Sequence, residues 1–144
     1  MKKSELELIV FSELDLLTGL VYGEARNQSF KGKVAVAMTV SNRVKHPGHW
    51  SWGYNWRDVI LKKYQFSCYN KDDPNYKKII SMHKENTDVW LECGVVAEYV
   101  YLDKLQSYLP AVPTHYHTKS IKPSWVNDLR YLYTIEDHVF YTCF

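Results

Sequence analysis

The sequence lacks the features of several specialised protein classes. No apolar run is long enough to cross a membrane, and acidic residues interrupt the apolar stretch of the N-terminal segment MKKSELELIVFSELD, unlike a signal peptide. The 18 basic and 16 acidic residues are scattered and leave a net charge of +2, without the basic block of a nucleic-acid binder. We therefore expect neither nucleic-acid binding nor stable membrane insertion.

Cysteine is scarce as well. Cys68, Cys93 and Cys143 are odd in number, lie far apart and form no CxxC pair. This pattern argues against a disulfide framework and against a cysteine-type zinc site. We expect three structural thiols in a protein that folds in a reducing cytoplasm.

Aromatic residues, in contrast, are abundant. They make up 15% of the chain, with 12 tyrosines and 5 tryptophans, and this excess suits either core packing or a surface that binds sugars. The length of 144 residues fits one domain around a single core, so residues 1–144 are predicted to form a single domain.

Capping signals and apolar spacing predict a mainly helical fold. Ser4 and Ser12 both begin capping boxes, and the second opens a helix from about Glu13 to Glu24. Three further stretches have helical character, and another helix starts just after Pro74. The three stretches are the largely apolar segment from Phe30 to Lys45, a short segment near Arg57 to Lys63, and the stripe from Thr87 to about Gln106.

The residue pattern of the sequence changes after Pro110. Three short segments rich in β-forming residues follow, at 114–118, 131–135 and 138–141. We therefore expect an α+β domain that is mainly helical and carries a small C-terminal β-hairpin.

Several ordered motifs together resemble one known family. The chain is similar to the catalytic domain of SleB-type cell-wall hydrolases, the spore-cortex-lytic enzyme family, which also occurs in phage lysis proteins. The similarity spans about Leu14 to Tyr141. The motifs are LVYGEAR at 20–26, GKVAVA at 32–37, SNRV at 41–44, YQFS at 64–67, THYH at 114–117, PSW at 123–125 and HVFY at 138–141.

The resemblance implies a lysozyme-like domain that cleaves peptidoglycan between N-acetylmuramic acid and N-acetylglucosamine, with lytic transglycosylase chemistry and no metal or cofactor. The family's catalytic glutamate falls on Glu24. One departure is local: many members have Ile-Gly-Asn-His before the last strand, whereas this chain has Ile135-Glu136-Asp137-His138. No spore-cortex targeting module precedes the domain, so we do not expect a spore role. The lack of a signal sequence favours a phage-type endolysin, and a bacterial protein with a different export route is the alternative.

Glu24 lies in apolar sequence, which suits a general acid. Apolar surroundings disfavour the charged carboxylate and keep the group protonated near neutral pH. The alternative is a structural carboxylate that pairs with Arg26 or Arg43, or that caps the following helix.

Retaining and inverting glycosidases also need a second carboxylate. The candidates all have plausible cap or turn roles, which favours transglycosylation by a single glutamate over hydrolysis. These candidates are Asp58, Asp72, Asp73, Glu136 and Asp137.

Five further residues are candidates for a sugar-binding groove, where amides and hydroxyls would bond sugar oxygens and aromatic rings would stack on sugar faces. Core packing is the alternative for each, and Trp50, Trp52 and Trp56 are expected to form a hydrophobic cluster within their own loop, which could rim one end of the groove. The five candidates are Tyr22, Gln65, Ser67, Tyr116 and Trp125.

Three histidines suggest a rival function. His115 and His117 share one face of a strand, and His138 on a partner strand would complete a metal site for a peptidase or amidase.

A glycan-binding module without catalytic activity is the alternative from another functional class. The leading prediction is a monomeric endolysin that acts on peptidoglycan glycan strands and waits in the host cytoplasm before its release to the wall.

Overall fold

The computed structural model describes residues 7–144, and the capping box predicted at Ser4 begins outside this range. Five α-helices lie between Glu13 and Tyr101, and three 3₁₀ turns connect elements at His49–Ser51, Ser67–Tyr69 and Ser124–Asp128. No helix among residues 7–144 is long and apolar enough to span a membrane. The helices are α1 (Glu13–Ala25), α2 (Phe30–Val44), α3 (Trp56–Leu61), α4 (Pro74–Glu85) and α5 (Asp88–Tyr101).

Side-chain caps define the helix starts. The capping box predicted at Ser12 is confirmed, because Ser12 Oγ accepts from the backbone of Asp15 while Asp15 accepts from the backbone of Ser12. Thr87 caps α5 with one hydrogen bond, which its Oγ1 accepts from the Trp90 amide. These oxygens satisfy backbone N–H groups that have no partner within the helix. The helix starts could therefore be predicted within a residue or two.

The end of α5 differs from the prediction. The helix stops at Tyr101, not near Gln106, because Asp103 adopts a left-handed backbone with φ 61° and the Lys104 amide donates to the carbonyl of Tyr99. This is a C-terminal capping arrangement that turns the chain out of the helix. Lys45 anchors the turn through a 2.6 Å contact between its ammonium group and the Asp103 carboxylate.

Helix α2 forms the centre of the core. Val34, Ala35, Val36 and Ala37 are fully buried on successive sides of the helix, as the apolar run predicted. The core residues form one cluster that joins α2 to α1, α5 and the sheet residue Phe140. This packing fixes the last turn of α1, where Glu24 lies.

The C-terminal part is a three-stranded antiparallel sheet in the order β1-β3-β2, with β1 at His115–Thr118, β2 at Arg130–Ile135 and β3 at His138–Thr142. The predicted hairpin is β2 with β3, and β1 adds a third strand on the other side of β3. Tyr116 pairs with Phe140 across β1 and β3. Because side chains alternate along a strand, Tyr116 lies on one face of the sheet and His115 and His117 lie on the other.

The turn between β2 and β3 docks on the start of α2. Glu136 has a left-handed φ of 50°, and its Oε1 accepts from the Ser29 amide at 2.6 Å. Asp137 exchanges two hydrogen bonds with Gln28, at 2.9 and 3.2 Å. A glycine adopts this backbone without strain, whereas Glu136 offsets part of the strain with its contact to the helix start.

Candidate active site

Glu24 lies in the last turn of α1 with two hydroxyl groups directed at its carboxylate. Tyr116 donates its phenolic hydroxyl to Oε1 at 2.6 Å, and Ser67 donates to Oε2 at 3.3 Å. Tyr116 comes from β1 and Ser67 from the 3₁₀ turn before α4. Three separate elements therefore meet at this one carboxylate and fix its orientation.

The surroundings favour the protonated form of Glu24. Burial raises the pKa of the carboxyl, and the negative charge of Asp73 raises it further, while the hydrogen bonds from Tyr116 and Ser67 and the Cys68 amide oppose this shift. The net direction is upward. Burial also raises the pKa of the Tyr116 phenol well above its usual range, so that Tyr116 stays a hydrogen-bond donor at neutral pH. An acid with a raised pKa beside a cavity is suited to donate a proton.

Gly23 permits the close packing behind Glu24. A Cβ atom at this position would lie 2.5 Å from the Cβ and 2.9 Å from the Sγ of Cys68. These distances are too short for any side chain, so a glycine lets the turn that carries Ser67 approach α1.

Glu24 adjoins two cavities. The larger has a volume of about 600 Å³, and a smaller one of about 260 Å³ shares Gly23 and Glu24 with it and continues along Ala25, Arg26 and Asn27. Glu24 therefore borders both cavities. The larger cavity is lined by Gly23, Glu24, Arg43, Tyr64, Gln65, Phe66, Ser67, His115, Tyr116, His117, Thr118, Ile121, Pro123, Trp125 and His138.

Four of the five predicted groove residues line this larger cavity together with Glu24. They are Gln65, Ser67, Tyr116 and Trp125.

The fifth, Tyr22, lies elsewhere, and its assignment to the groove is corrected. Its side chain is buried in the core, with its ring 5.7 Å from that of Trp90 and the Arg26 guanidinium 4.7 Å from its centroid. Two residues along a helix correspond to a rotation of about 200°, so Tyr22 and Glu24 face different sides of α1.

Arg43 is the main site residue that sequence reasoning missed. It is buried near the end of α2, where its Nε donates to the Thr114 carbonyl at 2.8 Å and its Nη1 donates to Gln65 Oε1 at 3.1 Å. Burial lowers the pKa of Arg43 to about 10, which leaves the group charged at neutral pH. Arg43 thus joins the segment before β1 to the loop of Gln65. A charged residue near the end of a helix expected to be largely buried was the available signal.

The alternative structural roles of Glu24 are wrong. Among the described residues, Glu24 forms no ion pair with either arginine: Arg26 donates to the Tyr22 carbonyl and to Asn75 Oδ1, and Arg43 binds Thr114 and Gln65. Ser29, not Glu24, caps α2. Within the described part of the chain, the Glu24 carboxylate thus has hydroxyl donors in place of an arginine partner, and it lines the larger cavity.

Four of the five other candidate carboxylates have the cap and turn roles expected of them. Asp58 bonds Asn55 at the start of α3, and Asp73 caps α4. Glu136 and Asp137 hold the β2–β3 turn against α2. Among residues 7–144, Glu24 is the one carboxylate in the lining of the larger cavity.

The three histidines do not converge on a metal site. His138 lies on the face of Tyr116, with the two rings 5.3 Å apart, whereas His115 and His117 lie on the opposite face of the sheet. The His117 nitrogens already contact the Thr118 carbonyl and the Tyr141 hydroxyl. Within the described part of the chain, no three His, Cys, Asp or Glu residues are grouped as metal ligands. The three-histidine site proposed for a peptidase is therefore wrong.

Comparisons with known proteins agree with this architecture. A family model described as Cell Wall Hydrolase matches residues 27–141, a range that begins just after Glu24. One solved structure, the catalytic domain of the germination-specific lytic transglycosylase SleB from Bacillus anthracis, is similar in fold with a TM-score of 0.60 and 20% identity. The alignment covers 92% of this chain and 98% of that domain. No curated protein sequence matches the chain.

Proposed function

This chain belongs to the cell wall hydrolase family, and we propose that it is a peptidoglycan glycosidase that cleaves the bond between N-acetylmuramic acid and N-acetylglucosamine by lytic transglycosylation. One observation carries the proposal: Glu24 is the single carboxylate in the lining of the 600 Å³ cavity among the described residues, and burial raises its pKa. The Bacillus anthracis structure with this fold is a lytic transglycosylase domain, which supports the same chemistry.

In the proposed reaction Glu24 acts twice. Protonated Glu24 first donates its proton to the glycosidic oxygen, so that the bond from C1 of the muramic acid to this oxygen breaks and the leaving sugar departs as an alcohol. The C6 hydroxyl of the same muramic acid then forms a bond to C1, and ionised Glu24 accepts the hydroxyl proton. The product is a 1,6-anhydro sugar, and the enzyme returns to its starting protonation state.

The lining of the cavity favours this route over hydrolysis. A retaining or inverting hydrolase places its second carboxylate within roughly 5–10 Å of the acid, as nucleophile or as base for water. In the described part of the chain, the cavity lining offers hydroxyl, amide, imidazole and aromatic groups around Glu24 but no second carboxylate. Tyr116 and Ser67 would hold the ionised carboxylate in place between the two steps.

Mass spectrometry of the soluble fragments tests the proposal. The purified protein is incubated with peptidoglycan, with and without a chelator, beside the Glu24→Gln variant. We expect anhydromuropeptides that are insensitive to the chelator and absent with Glu24→Gln. New reducing ends would instead assign a hydrolytic muramidase. Freed peptides that the chelator abolishes would contradict the proposal, and binding without fragments would indicate a glycan-binding module.

We further propose a role as a monomeric endolysin that waits in the host cytoplasm. Within residues 7–144, Cys68, Cys93 and Cys143 are free thiols, which is compatible with a reducing compartment. Production of the protein in a bacterial cytoplasm, followed by permeabilisation of the inner membrane, tests this role. We expect cells to lyse only after permeabilisation, and light scattering of the purified protein to give the mass of one chain.

A further inference from the structure

A small closed loop holds Trp50 beside the larger cavity. The amide of Gly48 donates to the carbonyl of Gly53 at 2.9 Å and closes the loop, within which Trp50 and Ser51 adopt left-handed backbones with φ 53° and 59°. Such a backbone costs free energy in residues other than glycine, and it persists only where the surroundings enforce it. The loop thus fixes the position of the Trp50 ring.

The two tryptophans of this loop have different environments. Trp52 is buried, and the Arg43 guanidinium lies 5.1 Å from its ring centroid. Trp50 is 49% exposed, although its ring is 6.0 Å from that of Trp52. Trp52 therefore anchors the loop to the core, while Trp50 keeps half of a large apolar side chain in contact with solvent. Core packing accounts for Trp52 but does not account for the exposure of Trp50.

Trp50 adjoins the wall of the cavity through His115. Its ring contacts His115 edge-on at 5.1 Å, and His115 is in turn 5.2 Å from Trp125. His115 and Trp125 both line the 600 Å³ cavity. The rings of Trp125, His115 and Trp50 thus form a row that leads from the cavity to the exposed loop. We call these three residues the aromatic row.

We propose that the aromatic row is a saccharide subsite, in which Trp50 stacks on a sugar of the glycan strand beyond those held at Glu24. The inference rests on the proposed function, because it identifies the occupant through the continuity of the row with the proposed glycan groove. The C–H face of a pyranose ring is apolar, and an exposed indole offers a flat apolar surface of matching size. A polymeric substrate extends past the cavity in the direction of Trp50, where a short fragment ends before reaching it.

Binding measurements with glycan fragments of increasing length test this subsite. They are made in the Glu24→Gln background, so that no cleavage occurs, with soluble peptidoglycan glycan chains of defined length and calorimetric or fluorescence readout. Trp50→Ala is expected to weaken the binding of long chains by roughly fivefold to tenfold and to leave the shortest bound fragment unaffected. Trp50→Tyr keeps an aromatic face and is expected to retain most of the affinity.

Tyr99→Ala is the matched control, because Tyr99 is 47% exposed and lies on α5, away from the cavity lining. Circular dichroism and thermal unfolding verify that each variant is folded.

Two results for Trp50→Ala would overturn the subsite. An equal loss of affinity at every glycan length would mean that Trp50 only shapes the loop, and unchanged binding of long chains would show that it contacts no sugar. Failure of the proposed function is separate, since it would appear as wild-type protein that releases no glycan fragments whatever Trp50 does.

Discussion

The hydroxyl of Tyr116 lies 2.6 Å from Oε1 of Glu24, and the two residues are 92 positions apart in the sequence. The contact joins the end of α1 to an edge strand of the C-terminal sheet. It fixes the geometry of the proposed acid and also acts on its protonation, because a donor to a carboxylate stabilises the ionised form.

Removal of this hydroxyl should shift the pH dependence of activity. Tyr116→Phe eliminates one of the interactions that lower the pKa of Glu24, so that pKa rises further above its usual value. In the proposed reaction Glu24 must be protonated to begin, so the activity should fall as the pH rises through this pKa. We therefore expect the alkaline limb of kcat/KM to move to higher pH in Tyr116→Phe, with activity at the optimum lower by roughly tenfold because the carboxylate is less well positioned.

Tyr101→Phe is the control for this measurement. Its hydroxyl donates to Glu13 Oε1 at 3.0 Å, a bond of the same type outside the cavity lining. It should leave the pH profile unchanged. An alkaline limb that stays in place in Tyr116→Phe would contradict the assignment of that limb to Glu24.

Two glycine substitutions should have opposite effects on stability. Gly23→Ala forces a Cβ within 2.5 Å of Cys68 Cβ, so the turn that carries Ser67 must move. We expect a loss of about 1–3 kcal/mol in the free energy of unfolding, together with reduced activity.

Gly94→Ala in α5 should stabilise the protein. The added Cβ meets its nearest neighbour, Thr18, at 3.7 Å, so the free energy of unfolding should increase by about 0.5–1 kcal/mol with activity unchanged. Denaturant unfolding measures both, and a neutral Gly23→Ala would show that the packing behind Glu24 is not tight.

Local signals made the helices and strands predictable. The Ser12 capping box, the Thr87 cap and the apolar run of α2 are each contained in a short stretch of sequence, and each element begins where its signal does. The end of α5 was not predictable in this way, because the apolar stripe continues past Tyr101 while the left-handed Asp103 redirects the chain. Apolar spacing records burial and carries little information on where a helix ends.

Contacts between distant elements were beyond local patterns. The resemblance to a family assigned the catalytic role to Glu24, and side-chain chemistry suggested the groove candidates, but neither gave a contact between them. Side-chain chemistry also suggested Tyr22 for the groove, where helical rotation alone argues against it. The bond between Arg43 and Gln65 and the one between Tyr116 and Glu24 depend on the register of the sheet and on how it packs against the helices. That arrangement emerges only in three dimensions.

Mild acid should destabilise the protein partly through His115. Burial, with a smaller contribution from the charge of Arg43, lowers the pKa of His115 from 6.5 to about 4. Between these values the unfolded chain binds a proton that the folded protein does not, so the free energy of unfolding falls as the pH decreases through this window. With allowance for partial solvent exposure, we expect this contribution to be about 2 kcal/mol.

Denaturant unfolding of the wild type and of His115→Gln between pH 7.5 and pH 4.5 isolates this contribution. The wild type should lose more stability than the variant as the pH falls, because the variant has no imidazole to protonate. His138, whose pKa is also lowered by burial, is present in both proteins and cancels in the difference. A difference that does not change with pH would contradict a neutral, buried His115.

Neutralising Asp73 should shift the pH dependence of kcat/KM in the direction opposite to the shift expected for Tyr116→Phe. The Asp73 carboxylate raises the pKa of Glu24 by repulsion, so Asp73→Asn lowers that pKa and moves the alkaline limb of kcat/KM to lower pH. The shift should be small, because burial is the largest cause of the raised pKa. Asparagine is also a good N-cap and its Oδ1 can still accept from the Asn75 amide, so α4 should remain intact.

Asp58→Asn is the matched control, since Asp58 lies at the start of α3 and does not appear among the groups that act on Glu24. It should leave the limb in place. The result also bears on whether Glu24 works alone: if Asp73 served as a catalytic base or nucleophile, its amide variant would lose activity by about 10²-fold or more at every pH. A displaced limb with nearly full activity at the optimum is what a purely electrostatic neighbour of a single catalytic carboxylate would produce.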